Sequence, residues 1–198
     1  MKWSSRRWGV AVVSAAVGVG LTVTAPAGAS PKETPATAVA AEAGTRPAVT
    51  GPSAVRDGGV WYFRAKHSGK CLTVHGASTA RGAAVDQYTC LGRANQRWRL
   101  LHTNQWGLAY IVSENGGKCL DVQGGSKANG AKFITWDCNS RKNQTFHVRN
   151  LTGHMAIKPL HISTKCLDIP GASQKNNTRA VLWSCKGVAN QQFKPVRA

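Results

Sequence analysis

Acidic residues are scarce in this chain: eight Asp and Glu stand against 26 Lys and Arg, a formal net charge of +18. From Val55 to Ala198 only Asp57, Asp86, Glu114, Asp121, Asp137 and Asp168 carry carboxylates. Hydrolysis of a glycosidic bond ordinarily needs two carboxylates flanking one bond, and this short supply argues against it. No cysteine pair has the two-to-four-residue spacing of a zinc ligand pair. The six histidines, His67, His75, His102, His147, His154 and His161, recur at no common phase and form no ligand pair. They are assigned no role, and neither a metal nor a cofactor is expected. No nucleophile motif is present, so no catalytic residue is assigned. No segment keeps helical periodicity for three turns, which excludes a helical bundle, and no apolar run reaches the roughly 20 residues of a membrane span.

What is present begins with a leader. Lys2, Arg6 and Arg7 precede an apolar stretch from Val10 to Val23 and then Ala25-Pro26-Ala27-Gly28-Ala29, the order of an export signal. Residues 1–29 are expected to be removed, with Ala27 the alternative end. The arginine pair hints at twin-arginine export, but cysteines that must pair favour the unfolded-chain route. Residues 30–54 are rich in Ala, Pro and Thr and lack aromatics. Such a stretch buries too little apolar surface to offset its ordering entropy, so it reads as a flexible tether. Residues 55–198 have the size of one domain. They hold all six cysteines and 21 Lys and Arg against six acidic residues, a net of +15. A charge of that size attracts polyanions without naming one.

The domain is organised by a repeat. Lys70-Cys71-Leu72, Lys118-Cys119-Leu120 and Lys165-Cys166-Leu167 recur at intervals of 48 and 47 residues. In each copy a second cysteine follows the first by 19 positions: Cys71 to Cys90, Cys119 to Cys138 and Cys166 to Cys185. A Gln follows the second cysteine by 6, at Gln96, Gln144 and Gln191, each preceded by Asn and followed two positions later by an aromatic residue. Constant spacing within each copy selects one connectivity, a disulfide inside every repeat. Zinc is the rival, disfavoured by the spacing and by export.

Short runs separated by Gly, Asn and Ser clusters predict an all-β chain. They are Trp61-Tyr62-Phe63, residues 84–88, 109–112 and 132–136, and Ala180-Val181-Leu182-Trp183. A unit of about 47 residues makes no core alone, so three units share one around a pseudo-threefold axis, in a closed barrel.

Cys-Leu-Asp, an aromatic two before the second cysteine, and Asn-Gln-x-aromatic, repeated in phase three times, resemble the ricin B-type β-trefoil lectin family. The resemblance covers about residues 55–198. It implies a β-trefoil of twelve strands, six in a barrel and six in hairpins, with one potential sugar site per repeat. It also implies that Gln96 with Trp98, Gln144 with Phe146 and Gln191 with Phe193 are core elements. The implied sugar contacts are Asp121, Trp136 and Asn143 in repeat 2, and Asp168, Trp183 and Asn190 in repeat 3. In repeat 1, Tyr88 and Asn95 match but Thr73 holds the Asp position, so a weakened or dead site is expected there.

The chemistry stands beside the resemblance. A carboxylate accepts from neighbouring hydroxyls, an amide donates and accepts, and an indole face covers the C–H side of a pyranose. Many family members place a Gln four before the second cysteine. Here Ile134, Val181 and Asp86 stand there, which puts a galactose preference in question. Turn capping near Gly124-Gly125 and Pro170-Gly171 is the alternative role for Asp121 and Asp168. Trp136 and Trp183 alternate with Ile134 and Val181, so the strand pattern leaves open which pair faces the core; the resemblance exposes the tryptophans. Basic residues such as Arg141, Lys142, Lys175 and Arg179 read as a solvated face. The expectation is a secreted, non-catalytic lectin, free or cell-wall associated, whose partner is a polysaccharide or glycan of galactose-type or acidic character. Neither specific nucleic-acid binding nor a membrane span after processing is expected. The alternatives are a basic trefoil that holds acidic polymers or a protein partner, such as the target of an inhibitor, by charge, and behind it a glycosidase.

Overall fold

The computed structural model describes residues 56–198; the expected leader and tether, together with Val55, lie outside the described residues. Repeat 1 supplies β1 (Arg56–Ala65), β2 (Cys71–Val74), β3 (Ala83–Tyr88) and β4 (Trp98–His102). Repeat 2 supplies β5 (Leu108–Ser113), β6 (Cys119–Val122), β7 (Phe133–Trp136) and β8 (Thr145–His147). Repeat 3 supplies β9 (Lys158–Pro159), β10 (Lys165–Asp168), β11 (Thr178–Arg179), β12 (Val181–Ser184) and β13 (Phe193–Arg197). Strands β11 and β12 are one hairpin arm interrupted at Ala180.

The outer strands of each repeat pair antiparallel around a ring, β13 to β1, β1 to β4, β4 to β5, β5 to β8 and β8 to β9. Met155 and Phe193 exchange two backbone hydrogen bonds of 2.9 and 2.8 Å, which close it. The inner strands form the hairpins β2–β3, β6–β7 and β10–β12. The hairpins also pair with one another: Ala84 with Ile134, Arg179 with Asp86, and Lys132 with Val181. Six barrel strands capped by three hairpins make a β-trefoil, as expected.

The repeated residues fill the core in triads. Leu72, Leu120 and Leu167 are buried together with Val74, Val122 and Ile169. Trp98, Phe146 and Phe193 join the same cluster, and full burial of one such side chain stabilises by about 1.5–3 kcal/mol. A fourth triad is uneven: Val85, Phe133 and Ala180 hold equivalent positions, all fully buried. Ala180 donates to Val85 O at 2.9 Å and accepts from Phe133 N at 3.1 Å, and its small side chain leaves room for the large Phe133.

Three disulfides join Cys71 to Cys90, Cys119 to Cys138 and Cys166 to Cys185, with Cα separations of 5.1, 5.1 and 5.2 Å. On the hairpins, Phe133 and Leu182 belong to the core cluster. Ile134 and Trp136, one and three residues from Phe133, and Val181 and Trp183, on either side of Leu182, therefore lie on the opposite face. That resolves the parity left open by the alternation: the tryptophans lie on the face away from the core.

Candidate functional site

In repeat 2, strand pairing brings Asp121 opposite Ile134, and Cys119 opposite Trp136. These residues share the hairpin face away from the core. Asp121 is buried because the Asn-Gln turn closes over it. Gln144 Nε2 donates to Asp121 Oδ2 at 2.7 Å and Asn143 Nδ2 donates to the same oxygen at 3.0 Å. Burial pushes the Asp121 carboxyl above its ordinary value, with the Gln144 and Asn143 hydrogen bonds acting in the opposite sense. Trp136 remains 38 % exposed beside this group.

Repeat 3 repeats the arrangement. Gln191 Nε2 donates to Asp168 Oδ2 at 2.8 Å, and Asn190 Nδ2 lies 3.2 Å from each carboxylate oxygen. Asp168 is also shifted upward by burial and restrained by Gln191 and Asn190. Trp183 is 39 % exposed. In both repeats a carboxylate is held by an amide, and a partly exposed indole lies on the same hairpin face, two residues along from the partner of the aspartate. Turn capping is not what occupies the two aspartates, whose partners are the side-chain amides of the next turn.

The glutamines are buried core residues, and they do more than pack. Gln144 Nε2 also donates to Asp137 O at 3.0 Å while its Oε1 accepts from Asn139 N at 2.9 Å. Gln191 does the same with Ser184 O and Lys186 N, and Gln96 with Thr89 O and Leu91 N. Each glutamine ties the hairpin end to the following turn and, in repeats 2 and 3, fixes one carboxylate oxygen.

The ricin-type beta-trefoil lectin domain model matches residues 60–193, the span in which these threefold elements recur. The chain belongs to this family. Among solved structures, this lectin domain is similar to the designed threefold-symmetric protein ThreeFoil. The two share 34 % identity over 70 % of this chain and 99 % of that one, with a TM-score of 0.67. It is also similar to an exo-beta-1,3-galactanase from Clostridium thermocellum, with 29 % identity and a TM-score of 0.68, covering 73 % of this chain but only 31 % of the galactanase. The Macrolepiota procera ricin B-like lectin, solved in complex with lactose, shares the fold at 17 % identity and a TM-score of 0.61, over 74 % of this chain and 100 % of that one. No curated protein sequence matches the chain significantly.

The lectin domain departs from its own pattern in repeat 1. Thr73 turns its hydroxyl onto Cys71 O at 2.8 Å and accepts the Gln96 amide at 3.2 Å. Tyr88 is half-buried, and Asn95 donates to Val74 O at 2.9 Å. The residue paired with Thr73 across the hairpin is Asp86. The rung that carries Asp121 opposite Ile134 in repeat 2, and Asp168 opposite Val181 in repeat 3, thus keeps its carboxylate on the other strand. Asp86 is 2 % exposed. Its Oδ2 lies 2.6 Å from His75 Nδ1, and its buried Oδ1 has no hydrogen-bond partner. Burial raises the Asp86 carboxyl, against the opposing influence of His75. Asp86, His75, Tyr88, Asn95 and Asn177 line a cleft of about 410 Å³ there.

Two histidines left without a role prove structural. His67 Nε2 lies 3.0 Å from Ser173 O, and His161 Nε2 lies 3.1 Å from Ser126 O. In the third copy Asn115 Nδ2 donates to Ala77 O and Ser78 O at 2.8 and 3.2 Å. Each of these residues comes from the turn before a first cysteine and holds the short loop after the first hairpin strand of the preceding repeat in the ring. A return contact crosses every seam: Arg81 pairs with Asp137, Ser184 N donates to Asn129 Oδ1, and Thr89 N donates to Asn176 Oδ1. The signal available in sequence was Gly-x-Ser at 76–78, 124–126 and 171–173.

Proposed function

We propose that this chain is a secreted, non-catalytic lectin, exported by residues 1–29 and tethered by residues 30–54, that binds saccharide in the pockets of repeats 2 and 3. The observation that carries the reading is the twofold occurrence of one constellation: a buried, amide-held carboxylate on the same hairpin face as a partly exposed tryptophan. In such a pocket Asp121 or Asp168 accepts from neighbouring sugar hydroxyls. Asn143 or Asn190 adds an amide oxygen, and Trp136 or Trp183 lies against the apolar ring face. The lactose complex of the Macrolepiota lectin and the galactanase neighbour make β-galactosides the first ligands to try. Ile134 and Val181 offer no polar group opposite the aspartates, and this favours a ligand recognised chiefly from the Asp and Trp sides.

The carboxylates are engaged in ways that support a binding role. Asp57 and Glu114 both lie on Arg99, Asp137 meets Lys118, and Asp121 and Asp168 sit in amide cradles of separate repeats. A pair flanking one scissile bond is not what these partners build.

A second reading concerns repeat 1, where the unpartnered buried oxygen of Asp86 favours a working pocket of altered chemistry over a dead one. A buried acceptor without a partner costs about 1–3 kcal/mol, and a ligand hydroxyl would relieve it.

The test is calorimetric titration of lactose and a neutral glycan panel into the mature domain and its variants. Asp121→Ala and Asp168→Ala are each expected to remove one site, and the double variant both. Asp86→Asn is expected to remove whatever binding survives in that double variant. Undiminished stoichiometry in the double variant would defeat the assignment to repeats 2 and 3, and absence of residual binding would defeat the reading of repeat 1.

A further inference from the structure

The most exposed large apolar side chain among the described residues, Trp106 at 82 %, is in none of the repeat pockets. It lies in the β4–β5 connection, at the end of the barrel strands remote from the point where β5 leads into its hairpin. Arg56, at the start of β1, and Arg149, after β8, reach the same end. Together with His102, Asn104 and Leu151 they surround a cleft of about 510 Å³.

This arrangement is held in place. Gln105 N donates to Thr103 Oγ1 at 3.2 Å, Leu108 N to Gln105 O at 3.2 Å and Thr103 N to Leu108 O at 2.9 Å, so the turn that carries Trp106 outward is closed by its own hydrogen bonds. Val148 N donates to Gly107 O at 2.8 Å and fixes the neighbouring strand end. Gly107 has φ +75°, and a Cβ there would stand 2.8 Å from Arg149 Cγ. The absent side chain is what lets Arg149 lie across the turn and bring its guanidinium carbon to 5.4 Å from the Trp106 ring centre. Among the described residues, no carboxylate lines the cleft. Nearby, His147 is held below its ordinary value by burial first and then by Arg149 and Lys158.

We propose that this end of the barrel is a second binding site, distinct from the repeat pockets, for an acidic saccharide: a pyranose ring stacks on Trp106 while its anionic group is held by Arg149 and Arg56. The residues divide the work between ring and charge. Guanidinium groups match the geometry of carboxylate, sulfate or phosphate oxygens, and the indole supplies a face for C–H groups. An arginine already held over the ring is oriented, which lowers the ordering cost of meeting an anion beside it. A related pair stands at Gly59, also at positive φ, where Arg197 lies over Trp61 at 4.6 Å, but Trp61 is half-buried, and of the two only the Trp106 pair presents an open indole face. None of Asp121, Trp136, Asn143, Asp168, Trp183 and Asn190 lines the Trp106 cleft, so this proposal stands apart from the repeat-pocket reading.

The probes are a pectin-derived oligogalacturonate and a neutral β-1,4-galactan oligomer of equal length, followed by calorimetry and by the Trp106 indole N–H resonance. The expected result is oligogalacturonate binding that survives Asp121→Ala/Asp168→Ala, shifts the Trp106 resonance, and weakens at least tenfold in both Trp106→Ala and Arg56→Gln/Arg149→Gln. Unaltered thermal unfolding confirms that these surface variants fold. If Trp106→Ala binds as the parent does, charge alone is responsible and the site is wrong. No binding of the acidic oligomer, or equal binding of the neutral one at Trp106, overturns the proposal as well. Loss of neutral-sugar binding in the Asp variants reports on the repeat pockets alone, so failure of one reading leaves the other measurable.

Discussion

The aspartate of each hairpin is the residue on which most of the chemistry turns, and its environment makes two opposite demands. Burial raises the carboxyls of Asp86, Asp121 and Asp168 above their ordinary value of 3.8, so the native chain holds these protons more tightly than the unfolded chain. Their contribution to stability is present in acid and is lost as pH rises through the interval between 3.8 and the raised values. Saccharide recognition at the proposed sites would run the other way, because a hydroxyl donates to the ionised oxygen. Neutral-sugar affinity is expected to be flat near neutrality and to fall on acidification, starting at a higher pH than for an ordinary aspartate. Titrations across a pH series, paired with thermal unfolding at each point, check both signs. Affinity that declines only below pH 3.8 would mean that these carboxylates are not the binding groups.

At the scale of the element, each hairpin is closed by a disulfide spanning 19 positions. A loop of about twenty residues is worth roughly 3 kcal/mol in the chain-entropy account. Replacing Cys119 and Cys138 by Ser is expected to lower the urea midpoint accordingly, and repeat 2 should lose binding first because Asp121 and Trp136 lie on the two arms so joined. The cysteine spacing and the Gln-x-aromatic phase made the hairpins, disulfides and core triads legible in sequence, since identical residues recur in identical roles. What stayed hidden is work done by unlike residues. His67, Asn115 and His161 perform one task with different chemistry, and composition alone does not align an imidazole with an amide. Asp86 was visible, but its equivalence to Asp121 and Asp168 depends on which residues face each other across paired strands, a relation that spacing along one strand does not contain. Trp106 has no repeat to announce it.

For the molecule as a whole, the threefold body fixes its pockets at set angles to one another, so binding to a polymer is a matter of geometry as much as of affinity. A shallow single pocket of millimolar strength is worth about 4 kcal/mol, and a second engaged pocket multiplies apparent affinity through effective concentration. Retention on an immobilised galactan is therefore expected to drop far more than twofold when either Asp121→Ala or Asp168→Ala is introduced, while solution binding of a short oligosaccharide loses only one site. Added salt should leave the neutral polymer bound and release an acidic one, given the domain's net charge of +15.

The seams between repeats give this body a sense of rotation. His67 of repeat 1 holds the Ser173 loop of repeat 3, Asn115 of repeat 2 holds the Ser78 loop of repeat 1, and His161 of repeat 3 holds the Ser126 loop of repeat 2. A substitution at one of these residues loosens a pocket rim one-third of a turn away from its own position in the chain, always in the same direction. For these three residues alone, the defect is expected in the unit that precedes the altered one around the ring, a displacement of about 120° that substitutions within a pocket do not show.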